Sequence, residues 1–108
     1  MPQFAVLIYA ADSTHAPDAT AADTAEADAH ADELSQAGGL VLAYALTPRA
    51  MARSVRGGAV AEGPFLPDEA VVAGFYVLEA PDLDAAVALA ATNPVVRSGG
   101  GVEVRPVH

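Results

Sequence analysis

His30 is the strongest candidate for chemistry in this chain of 108 residues. It lies in an alanine-rich stretch typical of a helix, where Ala27, Leu34 and Ala37 share its face at helical spacing. Leu34 is the only large apolar side chain of that stretch, so we expect this face to look toward the core. An imidazole, with an ordinary pKa near 6.5, can act there as a general acid or base. The alternative is a histidine at the edge of the core that bonds a backbone carbonyl or water.

Glu62 is the second candidate, because it precedes a Gly-Pro-Phe turn. Pro64 fixes its own φ angle and restricts Gly63, so the carboxylate is carried on a constrained backbone. There it could orient His30 or accept a proton from a substrate. The structural alternative is that its oxygens accept backbone N–H groups and tie the turn to a neighbouring strand.

Arginine and tyrosine side chains supply candidates for holding a ligand. Arg56 is one of only five basic residues and could clamp a carboxylate through paired hydrogen bonds, and Arg105 has the same standing. Either could instead form a salt bridge with one of the 14 acidic residues. Tyr9 and Tyr76 could line a pocket and donate their hydroxyls, although ordinary packing in the core or an interface is the favoured interpretation.

Metal chemistry finds little support in the sequence. The three histidines show no ligand spacing, and there is no cysteine to bind a metal or act as a nucleophile. The acids that recur every four or five residues before Leu34 are typical of a solvated helix face rather than a cation site. We therefore expect neither a metal nor a cofactor.

The charge of the chain restricts its partners. A formal net charge of -9 argues against nucleic acid and against an anionic membrane surface, both of which attract clustered Lys and Arg. No apolar run reaches the roughly 18 residues that span a bilayer. The lack of cysteine fits a reducing compartment, so we expect a soluble cytoplasmic protein.

The elements that must position these residues follow a βαββαβ order within one domain over residues 1–108. The predicted strands and helices are, in chain order, Phe4–Tyr9, Asp18–Ala37, Leu40–Thr47, Val71–Ala80, Asp82–Thr92 and Gly101–Pro106. A small hairpin over residues 53–61 is inserted before the third main strand. Thr20 opens a capping box and Asp82 is a good N-cap. The pattern predicts an α+β, ferredoxin-like domain.

Several short segments occur in an order and spacing that resemble a known family. They are Phe4–Tyr9, Ala29-His30, Gly39-Leu40-Val41, Ser54-Val55-Arg56, Glu62-Gly63-Pro64-Phe65, Gly74-Phe75-Tyr76, Pro81–Ala86 and Val102–Val107. As a set they resemble the YCII-related proteins of the DGPF subgroup, over nearly the whole chain. Three places depart from the family pattern. Glu62 replaces the first aspartate of Asp-Gly-Pro-Phe, the following stretch Leu66–Ala70 lacks the lysine that is common there, and Asn93 stands where many relatives have an aspartate before proline.

The resemblance implies a homodimeric α/β barrel, in which two ferredoxin-like sheets face each other, and a small-molecule pocket between sheet and helices. A His–Asp pair is proposed as catalytic in YCII relatives, and a few relatives resemble enzymes that act on small ring compounds. Some DGPF members resemble companions of sigma factors.

Three functions stay open at this point. The first is binding of a small molecule near His30, with lyase- or isomerase-like proton transfer in which Glu62 orients the imidazole and Arg56, Tyr9 or Tyr76 holds the ligand. The second is a non-catalytic accessory domain that acts through a protein partner such as a sigma factor. The third is a structural dimer with a vestigial pocket.

Overall fold

The computed structural model describes residues 1–108 and has six strands and two helices. The strands are β1 (Gln3–Ala10), β2 (Leu40–Ala45), β3 (Arg53–Arg56), β4 (Ala59–Glu62), β5 (Val71–Glu79) and β6 (Gly101–Pro106). The helices are α1 (Ala21–Gln36) and α2 (Leu83–Ala90). Two short 3₁₀ turns, Arg49–Met51 and Pro94–Arg97, also form and have no counterpart among the predicted elements.

The main sheet has four antiparallel strands in the order β2-β5-β1-β6. The hairpin β3–β4 forms a separate sheet of two strands. Without the hairpin, the first and third strands are central and the second and fourth are at the edges. This arrangement confirms the predicted α+β, ferredoxin-like fold.

The core lies between the helices and one face of the sheet. From the sheet it contains Phe4 and Val6 of β1 and Leu78 of β5, all nearly inaccessible to solvent. Ala86 and Ala90 of α2 pack against them, and α1 contributes Leu34. Because the helical contribution is mostly alanine, the helices bury little apolar area per residue.

An irregularity in β5 matters for the site. Opposite β1, Gly74 pairs with Ile8 and Val72 pairs with Tyr9, which leaves Ala73 as an extra residue. The pairing of β1 with β6 is unbroken, so side chains along β1 alternate between the two faces without interruption. Tyr9 is therefore on the sheet face away from the helices, opposite to Ile8.

Local signals place both helices as predicted. Thr20 accepts a hydrogen bond from the Asp23 N–H while the Asp23 carboxylate accepts one from the Thr20 N–H, which is the capping box. Asp82 caps α2 in the same way through the Ala85 N–H. Neither helix has the length and apolar character that crossing a membrane requires.

Candidate functional site

A cavity of about 420 Å³ lies between α1, one end of the sheet and the Pro94 turn. Its volume is within the range of about 300–1,000 Å³ that is usual for small-molecule sites. Small apolar side chains form much of the wall, among them Ala31 of α1, Ala43 of β2 and Ile8 of β1. The alanines of α1, which fill the core so thinly, therefore leave the space that forms the cavity.

Three buried polar side chains meet at the floor of this cavity, namely His30, Tyr76 and Asn93. The rings of His30 and Tyr76 lie edge to face, with their centroids 6.2 Å apart. His30 is placed there because it shares the inward face of α1 with Leu34, as its spacing predicts. Tyr76 is placed there by the alternation of β5, which also buries Leu78 on the same face.

The polar atoms of His30 and Tyr76 have no hydrogen-bond partner in the protein. Both ring nitrogens of His30 and the hydroxyl of Tyr76 are buried and unpaired. Burial lowers the pKa of His30, and the Glu33 carboxylate offsets part of that effect. Burial raises the pKa of Tyr76 to about 12, so near neutral pH the floor presents an uncharged imidazole and an uncharged phenol.

Asn93 is held in a fixed orientation by its own turn. Its side-chain oxygen accepts a hydrogen bond of 3.0 Å from the Val95 N–H and so caps the 3₁₀ turn that begins at Pro94. The Asn93 carboxamide also opposes the rise in the pKa of Tyr76, although burial outweighs it. The Tyr76 hydroxyl nevertheless has no hydrogen-bond partner that meets the usual limits of distance and angle. Asn93 therefore adds a third neutral polar group to the floor.

The loop after β1 forms one side of the cavity mouth and is firmly anchored. The Asp12 carboxylate accepts hydrogen bonds of 2.8 Å from the Ser13 and Arg49 N–H groups. The Arg49 guanidinium donates to the carbonyl oxygens of Ala11 and Asp68 at 3.2 and 2.9 Å. These bonds tie the loop to the start of the first 3₁₀ turn and to the segment before β5. They fix the position of Asp12 at the mouth.

A contact between an imidazole and a carboxylate lies at the other side of the mouth. Nε2 of His15, in the same loop, lies 3.6 Å from the Asp28 carboxylate of α1, and both residues line the cavity. The lining contains three acids, Asp12, Glu26 and Asp28, but no arginine, and the chain has no lysine. His15 is not among the predicted site residues, because it lies in a loop without a periodic pattern that could assign its direction.

A sequence model of the YCII-related domain matches residues 3–108. The chain belongs to the YCII-related family. No curated protein matches this YCII-related chain. The family match confirms the predicted relationship, while membership of the DGPF subgroup stays a prediction.

In this YCII-related chain, the fold brings together only two of the five predicted site residues, His30 and Tyr76. Glu62 is at the exposed end of the hairpin, with its carboxylate 3.8 Å from the guanidinium of Arg53. Arg56 lies over the ring of Phe65, 3.9 Å from its centroid. Tyr9, Glu62 and Arg56 are all absent from the cavity lining.

The salt-bridge alternative for Arg105 has a clear geometric outcome. Arg105 lies on β6 with its Nε 3.7 Å from the Glu103 carboxylate, in keeping with the salt-bridge reading. No group of three or more His, Asp or Glu side chains is arranged to hold a metal ion. The candidate site of this YCII-related chain is therefore the cavity, with a neutral polar floor, apolar walls and an acidic mouth.

Proposed function

We propose that the cavity binds a small organic molecule whose polar head makes hydrogen bonds with His30 and Tyr76. The observation that carries the proposal is the pair of buried, unpaired polar side chains on one cavity floor. Each such group costs the folded chain about 1–3 kcal/mol. Native proteins retain few of them, and a ligand that supplies the missing partners is a physical reason to retain these two.

The floor suits a head group that both donates and accepts hydrogen bonds. A neutral imidazole offers one donor and one acceptor, and a phenol offers a donor and an acceptor. A hydroxyl, phenol or amide head can satisfy both residues. The polar atoms are closed to water, so binding involves a small side-chain movement at the floor, for which the alanine walls leave room.

Proton transfer by His30 is the candidate chemistry for such a bound molecule. A neutral imidazole can accept a proton from a substrate, in a lyase- or isomerase-like step. Asn93 can orient the ring but carries no charge to stabilise an imidazolium, whereas the aspartate of the proposed family pair would. Glu62 has no part in this proposal, since its side chain is 85% exposed and faces Arg53. Binding is therefore the primary proposal and catalysis the secondary one.

The test uses variants that differ only in where they add volume. Ala31→Leu fills part of the cavity, whereas Ala29→Leu adds the same side chain to an exposed position of α1 outside the lining. A thermal-shift panel of neutral phenols, alcohols and amides should include compounds that raise the Tm of the wild type and of Ala29→Leu, but not that of Ala31→Leu. His30 ring resonances in NMR should shift with the same compounds. If no compound stabilises the wild type, or Ala31→Leu responds equally, the proposal is wrong.

We also propose that the chain forms a homodimer through the sheet face that no helix covers. By strand alternation this face carries Leu7 and Tyr9 of β1, Leu42 of β2 and Val77 of β5, which are apolar and only partly buried. Polar side chains on this face are confined to the edge strand β6, with Glu103 and Arg105, and to the end pair Gln3 and Glu79, so its centre lacks the polar residues of a water-facing sheet. A second copy offers the same surface, so a twofold interface covers both at once. Light scattering at micromolar concentration should give about twice the 10.9 kDa mass of the chain; a monomer mass contradicts the interface.

The exposed hairpin favours an accessory role as the second candidate function. Val55 and Val60 face each other across β3 and β4, are 63% and 70% exposed, and are not part of the cavity lining. Partner proteins use such apolar positions as anchors. A candidate partner such as a sigma factor should bind the wild type but not a Val55→Ser, Val60→Ser double variant of equal thermal stability. Equal binding by both proteins would exclude the hairpin as the contact.

A further inference from the structure

We propose that the cavity selects cationic amphiphiles, molecules with a neutral hydrogen-bonding head for the floor and an ammonium-like group for the mouth. This inference rests on the proposed function and specifies its ligand. It follows from the distribution of charge over the cavity mouth, over the cavity floor and over the whole chain.

The charged side chains at the mouth are mainly acidic. Asp12, Glu26 and Asp28 supply three carboxylates, and no guanidinium or ammonium group lines the cavity. Arg49, the arginine nearest in the hydrogen-bond network, keeps its positive charge, but its guanidinium donates to the carbonyl oxygens of Ala11 and Asp68 and does not line the cavity. Within the lining, the basic side chain close to a carboxylate is that of His15, which lies 3.6 Å from Asp28. Asp12, Glu26 and Asp28 therefore leave the lining with an excess of acidic side chains at the entrance.

The floor excludes anions for a different reason. His30, Tyr76 and Asn93 are buried and neutral, and of the three only His30 can become a cation, which its burial opposes. A carboxylate placed there would lose its hydration without gaining a counter-ion, which costs several kcal/mol. A phenol, hydroxyl or amide head loses much less hydration and finds donors and acceptors. The floor therefore favours an uncharged head group on the ligand, while the mouth favours a positively charged group.

The field of the whole chain acts in the same direction. The formal net charge is -9, and all five arginines lie outside the lining. A concave site with apolar walls concentrates such a field and raises the local concentration of cations. Anionic ligands, for which Arg56 is a sequence-based candidate clamp, meet no arginine inside the cavity.

Three probes that share a phenol head separate these contributions. Tyramine carries an ammonium group, 4-ethylphenol carries no charge, and 4-hydroxyphenylacetate carries a carboxylate on nearly the same skeleton. Calorimetry on the full chain at low ionic strength should rank their affinities in that order. We expect tyramine to bind at least about tenfold more tightly than the carboxylate, with the ratio shrinking as salt is raised to about 0.3 M.

A charge reversal locates the effect at the mouth. Glu26→Lys and Asp32→Lys change the net charge of the chain equally, and both residues are exposed on α1. Only Glu26 lines the cavity, so Asp32→Lys is the matched control. Glu26→Lys should reduce the preference for tyramine over the carboxylate by at least about threefold. Asp32→Lys should change that preference by less than about twofold. An equal effect of the two reversals means that overall charge, not the mouth, sets the ranking, and overturns the inference.

The remaining outcomes separate this inference from the proposed function. If 4-hydroxyphenylacetate binds as tightly as tyramine and both are excluded by Ala31→Leu, the cavity is a binding site but the charge selection is wrong. If none of the three probes binds, the inference on ligand class is wrong, and the proposed function is then judged by the wider neutral panel. If all three bind equally to the wild type and to Ala31→Leu, both are wrong.

Discussion

Replacing Tyr76 with phenylalanine should make the folded chain more stable. Tyr76 is only 2% exposed and its hydroxyl has no hydrogen-bond partner. An unpaired buried hydroxyl costs about 1–3 kcal/mol, because it has lost the hydrogen bonds to water that it makes in the unfolded chain. Phenylalanine removes this cost and keeps the ring contact with His30, while losing roughly a few tenths of a kcal/mol of dispersion. We expect the free energy of unfolding to rise by about 1–2 kcal/mol.

Urea unfolding at pH 7 and a single protein concentration measures this change. The transition midpoint should move up with an unchanged m-value, which identifies a change in stability rather than in compactness. Tyr44→Phe is the matched control, since Tyr44 is 62% exposed and its hydroxyl is free to bond water. That variant should stay within about 0.5 kcal/mol of the wild type.

The opposite sign would refute the reasoning. A Tyr76→Phe variant that is less stable by about 1 kcal/mol means that the hydroxyl has a partner after all, and the Asn93 carboxamide is the nearest candidate. The Tyr76 hydroxyl would then already be paired within the protein and would not need a ligand as its hydrogen-bond partner. If the reasoning holds, the same variant gains stability and binds the neutral phenols more weakly, as expected when a functional group is retained at a cost.

Three further predictions concern pH and packing. Burial lowers the pKa of His30, so the free energy of unfolding should keep its full value above about pH 6.5 and fall below it, by up to about 1.4 kcal/mol per pH unit. Urea titrations from pH 7 to 5 should show a steeper loss of stability for the wild type than for His30→Leu. Burial raises the pKa of Tyr76 to about 12, so the wild type should lose stability relative to Tyr76→Phe as pH rises from about 10 toward 12, by up to about 2.7 kcal/mol. The same dependence of stability on alkaline pH in both proteins would contradict this. Gly100→Ala should cost about 1–3 kcal/mol in thermal or urea unfolding, since its Cβ would overlap the Tyr9 carbonyl oxygen, whereas Gly101→Ala meets nothing within 4 Å and should change little.

The sequence predicts the elements well where the signals are local. Both helices begin where a short polar side chain accepts a hydrogen bond from a free N–H three residues later. Thr20 accepts from the Asp23 N–H, and Asp82 accepts from the Ala85 N–H. The inward direction of His30 follows from its helical spacing to Leu34, and both are buried. The strand order follows from the βαββαβ pattern, since few antiparallel arrangements connect such elements without crossings.

The composition of the site is harder to predict, because it depends on which faces meet. Strand alternation separates Tyr9 from its neighbours on β1, but only the packed helices decide that Tyr76, and not Tyr9, faces the cavity. The hairpin that carries Arg56 and Glu62 forms its own sheet, and no pattern in its residues assigns the direction in which it extends. His15 reaches the mouth through the hydrogen bonds of its loop, which link residues more than thirty positions apart.

The thin attachment of α1 has a dynamic consequence. This helix of 16 residues buries only His30 and Leu34, whereas β5 is paired on both sides and buries alternate residues along its length. Segments with few buried contacts open locally at a small fraction of the global free energy. Amide hydrogen exchange should therefore find α1 opening while β5 stays protected. A helix that lifts from an intact sheet would give a ligand its route to the closed polar floor, and its opening rate would then limit how fast the cavity fills.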